Sequence, residues 1–184
     1  VFIDGQNLFH AARDYGEDGV EIGMRNLVEE LSGDNELVRS YWFDSHHQDM
    51  NDGKERFFTF LQTNGFRVES LPLREHEGDV EEKGSDINLV SEMLHLAYND
   101  AYDEAILVSG DADFVPSIQK IQDRGKMVKV ASFDDQLSFE LKKSADETIV
   151  LDDILSIITR DAGTESGPDE SEQDLFLQID EDDE

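Results

Sequence analysis

Three short acidic motifs carry the residue types that could do chemistry: FIDGQN at 2–7, KGSDINL at 83–89 and SGDADF at 109–114. Asp4 terminates an apolar strand pattern, with Gly5 permitting a tight turn and Asn7 starting the next segment. Asp86 falls in the first turn of a helical pattern, and Asp111 and Asp113 lie between a buried strand pattern and a helix. Each aspartate alone has a plain structural reading as an N-cap, first-turn acid or turn residue, and Pro116 suits the first turn of a helix. Three such motifs at matching places in successive α/β units are harder to assign to capping alone, because open parallel sheets place their sites beyond the carboxyl ends of strands.

Four clustered carboxylates repel one another and raise one another's pKa unless a cation offsets the charge. Hard divalent ions such as Mg²⁺ or Mn²⁺ take oxygen ligands, keep several waters and leave positions for phosphate. The natural use is phosphodiester hydrolysis, with the ion polarising the phosphoryl group and lowering the pKa of an attacking water. Asp4, Asp86, Asp111 and Asp113 are the candidate catalytic metal ligands. Asn7 is expected to orient water or a ligand, Ser109 to support Asp111 from behind, and Lys83 to meet a substrate phosphate.

The elements that must position these residues alternate between short apolar runs and longer stretches of helical spacing, which predicts an α/β domain with a mainly parallel sheet. Strands are expected at VFID (1–4), LVRSYWF (37–43), FRVESLPL (66–73), EAILVS (104–109) and MVKVAS (127–132), with TIVL (148–151) closing the sheet. Helices are marked by Leu27, Val28 and Leu31 ending near Gly33, and by Phe57, Phe58 and Leu61 ending at Asn64 and Gly65. Others are marked by Ile87, Val90, Met93, Leu94 and Ala97, by Ile118 and Ile121, and over about 135–143. The polar segment 75–85 reads as a loop. The expected organisation is one domain over 1–160 and an acidic, disordered tail over 161–184, in which Leu175, Phe176, Leu177 and Ile179 form a small apolar group.

The 184 residues include 45 acidic and 15 basic ones, a formal net charge of −30. Residues 162–184 contain ten acids and no Lys or Arg, so the tail supplies −10 of this and the first 161 residues carry −20. Such a surface repels nucleic acid in dilute salt, whereas at 1 M salt the screening length falls to roughly 3 Å. A salt-loaded cytoplasm, and hence halophilic adaptation, is the simplest setting for it. With no cysteine, thiolate zinc sites, disulfides and cysteine nucleophiles are excluded. No apolar run approaches the roughly 20 residues of a membrane span and no leader pattern opens the chain, so a cytoplasmic protein with no membrane partner is expected.

The three motifs, in order and at this spacing, resemble the NYN family of PIN-like nucleases, in particular its LabA-like branch, over Val1 to about Leu151. The resemblance implies a three-layer α/β/α, PIN-like (Rossmann-like) fold and a divalent-metal site at Asp4, Asp86, Asp111 and Asp113. It also implies endoribonuclease activity on RNA, with Asn7 and Ser109 in support. The departure from a nuclease pattern is the scarcity of cations to guide RNA: Lys83, Lys54, Arg56, Arg13 and Arg74 are the candidates. A regulatory module of the same fold, binding RNA or a protein partner or pairing as a homodimer, is the competing expectation. A metal-dependent phosphatase is the third, weakened by the absence of a D-x-D pattern in the first motif. His46 and His47 are expected to be an exposed loop pair, His10 to cover the first helix, and Phe2, Trp42, Phe57, Phe58 and Phe60 to pack in the core or partly buried against it.

Overall fold

The computed structural model describes residues 1–46, 52–72 and 84–159 and, as backbone alone, 74–76 and 79–81. Six strands form one sheet: β1 (Phe2–Asp4), β2 (Ser40–His46), β3 (Phe66–Pro72), β6 (Glu104–Val108), β7 (Met127–Ser132) and β8 (Glu147–Val150). Every pairing within it is parallel, and its order is β3-β2-β1-β6-β7-β8. The helices are α1 (Gly5–Arg13), α2 (Met24–Ser32), α3 (Asp52–Thr63), α4 (Gly84–Tyr98), α5 (Val115–Gln122), α6 (Phe139–Ser144) and α7 (Leu155–Ile158). Two 3₁₀ turns join them, Ala112–Phe114 and Leu151–Ile154. Among the described residues no helix is long and apolar enough to cross a membrane.

The two-residue periodicity of the strands sorts their side chains into two cores. Ile3, Trp42, Ile106, Val108 and Ala131 face one layer, where they meet Leu8 and Phe9 of α1, Leu27 of α2, Phe57 and Leu61 of α3 and Ile158 of α7. Phe2, Tyr41, Phe43, Leu107, Val128 and Val130 face the other, against Leu89 and Met93 of α4, Ile118 and Ile121 of α5 and Leu141 of α6. This is the three-layer α/β/α arrangement, with a sheet covered on both faces as parallel sheets require. Trp42, Phe57 and Phe58 are core residues, the indole of Trp42 meeting Phe57 edge-on at 5.1 Å.

Several boundaries differ from the sequence expectation, each for a local reason. The second strand runs over Ser40–His46 and not 37–43: Leu37 and Val38 stay exposed, whereas the polar Asp44 and Ser45 are buried and continue the ladder. The segment read as a loop contains two short antiparallel strands, β4 (Arg74–His76) and β5 (Asp79–Glu81). The helix placed at about 135–143 begins only at Phe139, because Gln136 and Leu137 close a turn onto the carbonyl of Phe133 and Ser138 caps the helix. The tail 161–184 lies outside the described residues.

From β1 the chain winds one way through β2 to β3, then α4 crosses back to place β6 on the other side of β1. The order therefore reverses between β1 and β6. A crevice opens at the carboxyl ends of strands where the winding changes direction.

Candidate active site

Asp4 is the last residue of β1 and also the N-cap of α1, its Oδ1 accepting the Asn7 backbone N–H at 3.1 Å. The helix thus starts at Gly5 with no intervening turn, and the motif's glycine serves close packing. A Cβ on Gly5 would stand 2.5 Å from Cε2 of the fully buried Trp42. After β6 the chain supplies Ser109, whose Oγ donates to Asp4 Oδ2 at 3.0 Å and accepts the Asp111 backbone N–H at 3.2 Å. The Gly110 backbone N–H donates to Asn7 Oδ1 at 2.9 Å. Two side chains, Asn7 and Ser109, therefore bridge the β1 and β6 loops. Gly110 has no room for a side chain either: a Cβ would lie 2.1 Å from the carbonyl oxygen of Gln136.

Asp4 is 6 % exposed, and burial pushes its carboxyl up to about 7. The Asn7 N–H and the Ser109 hydroxyl pull it down, while the charges of Asp86 and Asp111 add to the rise. The α4 motif and the β6 loop thus bring their carboxylates within electrostatic reach of Asp4. Asp86 and Asp111 are half-buried, and Asp111 Oδ1 caps the following turn by accepting the Asp113 N–H at 2.9 Å. Asp113 is exposed and does not register on Asp4. Among the described residues no three acidic or imidazole side chains converge as a ready-made metal cage. The donor set is nonetheless all carboxylate oxygen, and a buried acid raised by two acidic neighbours is the electrostatic situation a hard cation relieves.

The residue model for the NYN domain matches positions 1–152. The chain belongs to the NYN domain family. Domains of this family are generally PIN-like nucleases, the nuclease type using divalent metals, and they commonly bind RNA. The chain is 29% identical over 168 residues to the Low amplitude and bright protein LabA of Synechococcus elongatus, with 87% of each chain covered. Its fold is similar to that of a Vibrio parahaemolyticus protein of unknown function, with a TM-score of 0.72, 23% identity, and 84% of this chain and 92% of the other covered.

A buried polar cluster at the end of β2 escaped the sequence reading. Asp44 and Lys54 are 3 % and 7 % exposed and pair at 3.3 Å. Lys54 Nζ also donates to the Ser45 carbonyl at 2.7 Å, and Asp44 accepts the Trp42 indole N–H at 3.2 Å and the Ser45 N–H at 2.7 Å. Burial raises the Asp44 carboxyl despite the opposing pull of Lys54. The cluster fixes the indole that abuts Gly5, and so the start of α1 beneath Asp4 and Asn7. Lys54 is therefore a structural cation in the NYN domain, not one presented to solvent for RNA. Lys54→Met leaves a buried unpaired carboxylate and is expected to cost roughly 3 kcal/mol. Urea unfolding should show a loss that grows with pH, because the carboxyl that burial raises costs more to leave unpaired once it ionises; a loss independent of pH would discount the ion pair.

Of the other candidates, Arg13 and Arg56 are exposed, Arg13 pairing with Asp14 at 3.2 Å. His10 is exposed on α1. His46 is half-buried in β2, its Nδ1 2.6 Å from Ser70 Oγ, so it belongs to the sheet and not to an exposed loop. Lys83, His47 and the side chain of Arg74 lie outside the described residues.

Proposed function

We propose that this NYN domain is a metal-dependent endoribonuclease that hydrolyses RNA phosphodiester bonds with Mg²⁺ or Mn²⁺ at the switch-point site. The observation that carries the reading is Asp4: a carboxylate sealed at the end of the central strand, raised to about 7 by burial and by Asp86 and Asp111. An acid so placed is costly to ionise unless a cation faces it, and perturbed groups in a crevice mark functional sites.

Asp4, Asp86 and Asp111 would hold the ion and Asp113, at the exposed rim, would complete its shell or bind a ligated water. Bound there, the ion would supply Lewis acidity toward the phosphoryl oxygen and a more acidic attacking water. The protein's own contribution is orientation. Ser109 holds Asp4 through Oδ2 while accepting the Asp111 N–H, so a single hydroxyl sets the spacing of two ligands. Asn7 fixes the Gly110 peptide and thereby the loop that presents Asp111. Lys83, three residues before Asp86 in the sequence, would meet a substrate phosphate.

A regulatory module that binds RNA or protein without efficient hydrolysis is the second reading. The absence of a convergent three-ligand cage among the described residues favours it. Cleavage of labelled single-stranded RNA in concentrated KCl with Mn²⁺, Mg²⁺ or chelator separates the two. The nuclease reading expects metal-dependent cutting that Asp111→Asn reduces by at least about a thousandfold, the scale of several kcal/mol of lost transition-state stabilisation. A folded, wild-type chain that binds RNA and never cuts it would establish the regulatory reading.

A further inference from the structure

We propose that the outer face of α6 is the platform on which unpaired RNA rests beside the acidic site, with Phe139 stacking on a base and Lys142 and Lys143 receiving phosphates. The inference rests on the nuclease reading and supplies what that reading lacks, a cationic approach to a very acidic protein.

Three observations place the platform. Phe139 is 73 % exposed, the most exposed of the large hydrophobic side chains among the described residues. It opens α6 immediately after Ser138, whose backbone N–H donates to the Gly110 carbonyl at 3.0 Å, and α6 packs against the 3₁₀ turn that carries Asp113. The aromatic ring is therefore tied through one residue to the loop that presents Asp111. Finally, Lys142 and Lys143 stand at i+3 and i+4 from Phe139, which puts both on its side of the helix.

Charge complementarity selects the occupant. The chain has only 15 basic residues among 184, and two of them are adjacent here. Lys142 makes one long, exposed contact with Asp134 at 3.7 Å, which a phosphate can displace. Lys143 is exposed and has no ion pair among the described residues. Glu140 stands three residues before Lys143 and so borders it on the helix, but no ion pair joins the two and the ammonium stays open to a phosphate. An exposed aromatic flanked by cations is the arrangement that binds single strands: every base offers a π-face, and the lysines follow the backbone. A duplex hides those faces, so the platform discriminates for unpaired RNA.

The test uses the full chain carrying Asp111→Asn, an unstructured fluorescein-labelled 12-nucleotide RNA, Mn²⁺, and anisotropy titrations at several KCl concentrations, with the RNA checked for integrity afterwards. Phe139→Leu, which keeps bulk and loses the π-face, should weaken binding about tenfold, while Phe139→Trp should stay within about twofold of the parent. Lys142→Gln with Lys143→Gln should weaken binding and reduce the log–log salt slope by about 1.4, the counterion release of two single-strand phosphates. A hairpin stem should lose nothing from Phe139→Leu. Wild-type affinity in Phe139→Leu, equal losses in the Leu and Trp variants, or a parent chain that binds no RNA would overturn the platform. Full cleavage by Asp111→Asn would instead overturn Asp111 as a ligand of the nuclease site, and the same titrations in chelator, where the RNA stays whole, would then decide the platform.

Discussion

Replacing Asp4 with Asn is expected to make the metal-free protein more stable and the enzyme inactive. The folded carboxyl titrates at about 7 against an ordinary 3.8, so the folded state holds this proton more tightly than the unfolded chain does. Its contribution to stability is full below about pH 4, falls as pH rises through 7, and is gone above that. At pH 8 in chelator the wild type carries a buried, repelled charge that Asn lacks. Asn is also a good N-cap, so its side-chain oxygen can keep the Asn7 N–H contact. The variant should gain on the order of 2 kcal/mol at pH 8 and nothing at pH 4, read from urea midpoints. Adding Mn²⁺ should raise the thermal midpoint of the wild type at pH 8 and leave Asp4→Asn unmoved, because bound ligand stabilises only the state that binds it. RNA cleavage should fall by about a thousandfold or more. A variant that is destabilised at pH 8, or still stabilised by Mn²⁺, would count against the charge-relief account of this site.

Gly110→Ala is expected to damage both the fold and the chemistry. The new Cβ would approach the Gln136 carbonyl oxygen to 2.1 Å and its carbon to 2.8 Å, and both are backbone atoms with no rotamer to yield. Either the loop after β7 moves, dragging Ser138 and its hydrogen bond to the Gly110 carbonyl, or the β6 loop moves and breaks the Asn7 contact with the Gly110 N–H. Overpacking of this kind costs about 2–3 kcal/mol. Displacing Asp111 by as little as 1 Å should lower cleavage about a hundredfold, since reacting groups tolerate little misplacement. Thermal melting with single-turnover cleavage of the same sample measures both. A glycine-like melting temperature together with normal cleavage would mean the loops absorb the methyl group.

The elements that place the acidic motifs were legible because their signals are local. A buried central strand shows as an apolar run, as in Phe2–Ile3 and Ala105–Val108, and an acid after such a run sits at the sheet's carboxyl edge whatever surrounds it. The roles of the two motif glycines were not legible, because the atoms that exclude a side chain belong to Trp42 and Gln136, distant in sequence from both. For the same reason Lys54 reads as a free cation in a polar stretch, and only the packing of α3 on β2 and β3 shows it neutralising Asp44. The late start of α6 has another cause. Residues 135–138 carry no periodic signal against a helix, and the turn onto Phe133 is set by hydrogen bonds that competing helical spacing does not reveal. Phe139 accordingly reads as an ordinary apolar helical residue until its exposure is known.

β1 and β6 are joined over a short seam, Phe2 beside Leu107 and Ile3 beside Val108, and the hydrogen bonds from Ser109 and Gly110 to Asp4 and Asn7 extend it beyond the strands. The chain on either side of that seam is a separate winding, one built through β2 and β3 and the other through β7 and β8. Asp4 and Asn7 belong to the first, Ser109 and Asp111 to the second, and Asp86 to the crossover helix α4, which packs on β1, β2 and β3, so the second half does not hold the whole set and neither does the first. A cation shared by Asp4, Asp86 and Asp111 would act as a clasp between the halves, and its occupancy would be coupled to their docking. On the nuclease reading, reactivity would in that sense be a property of closure: it would exist only after segments about a hundred residues apart in the chain have met.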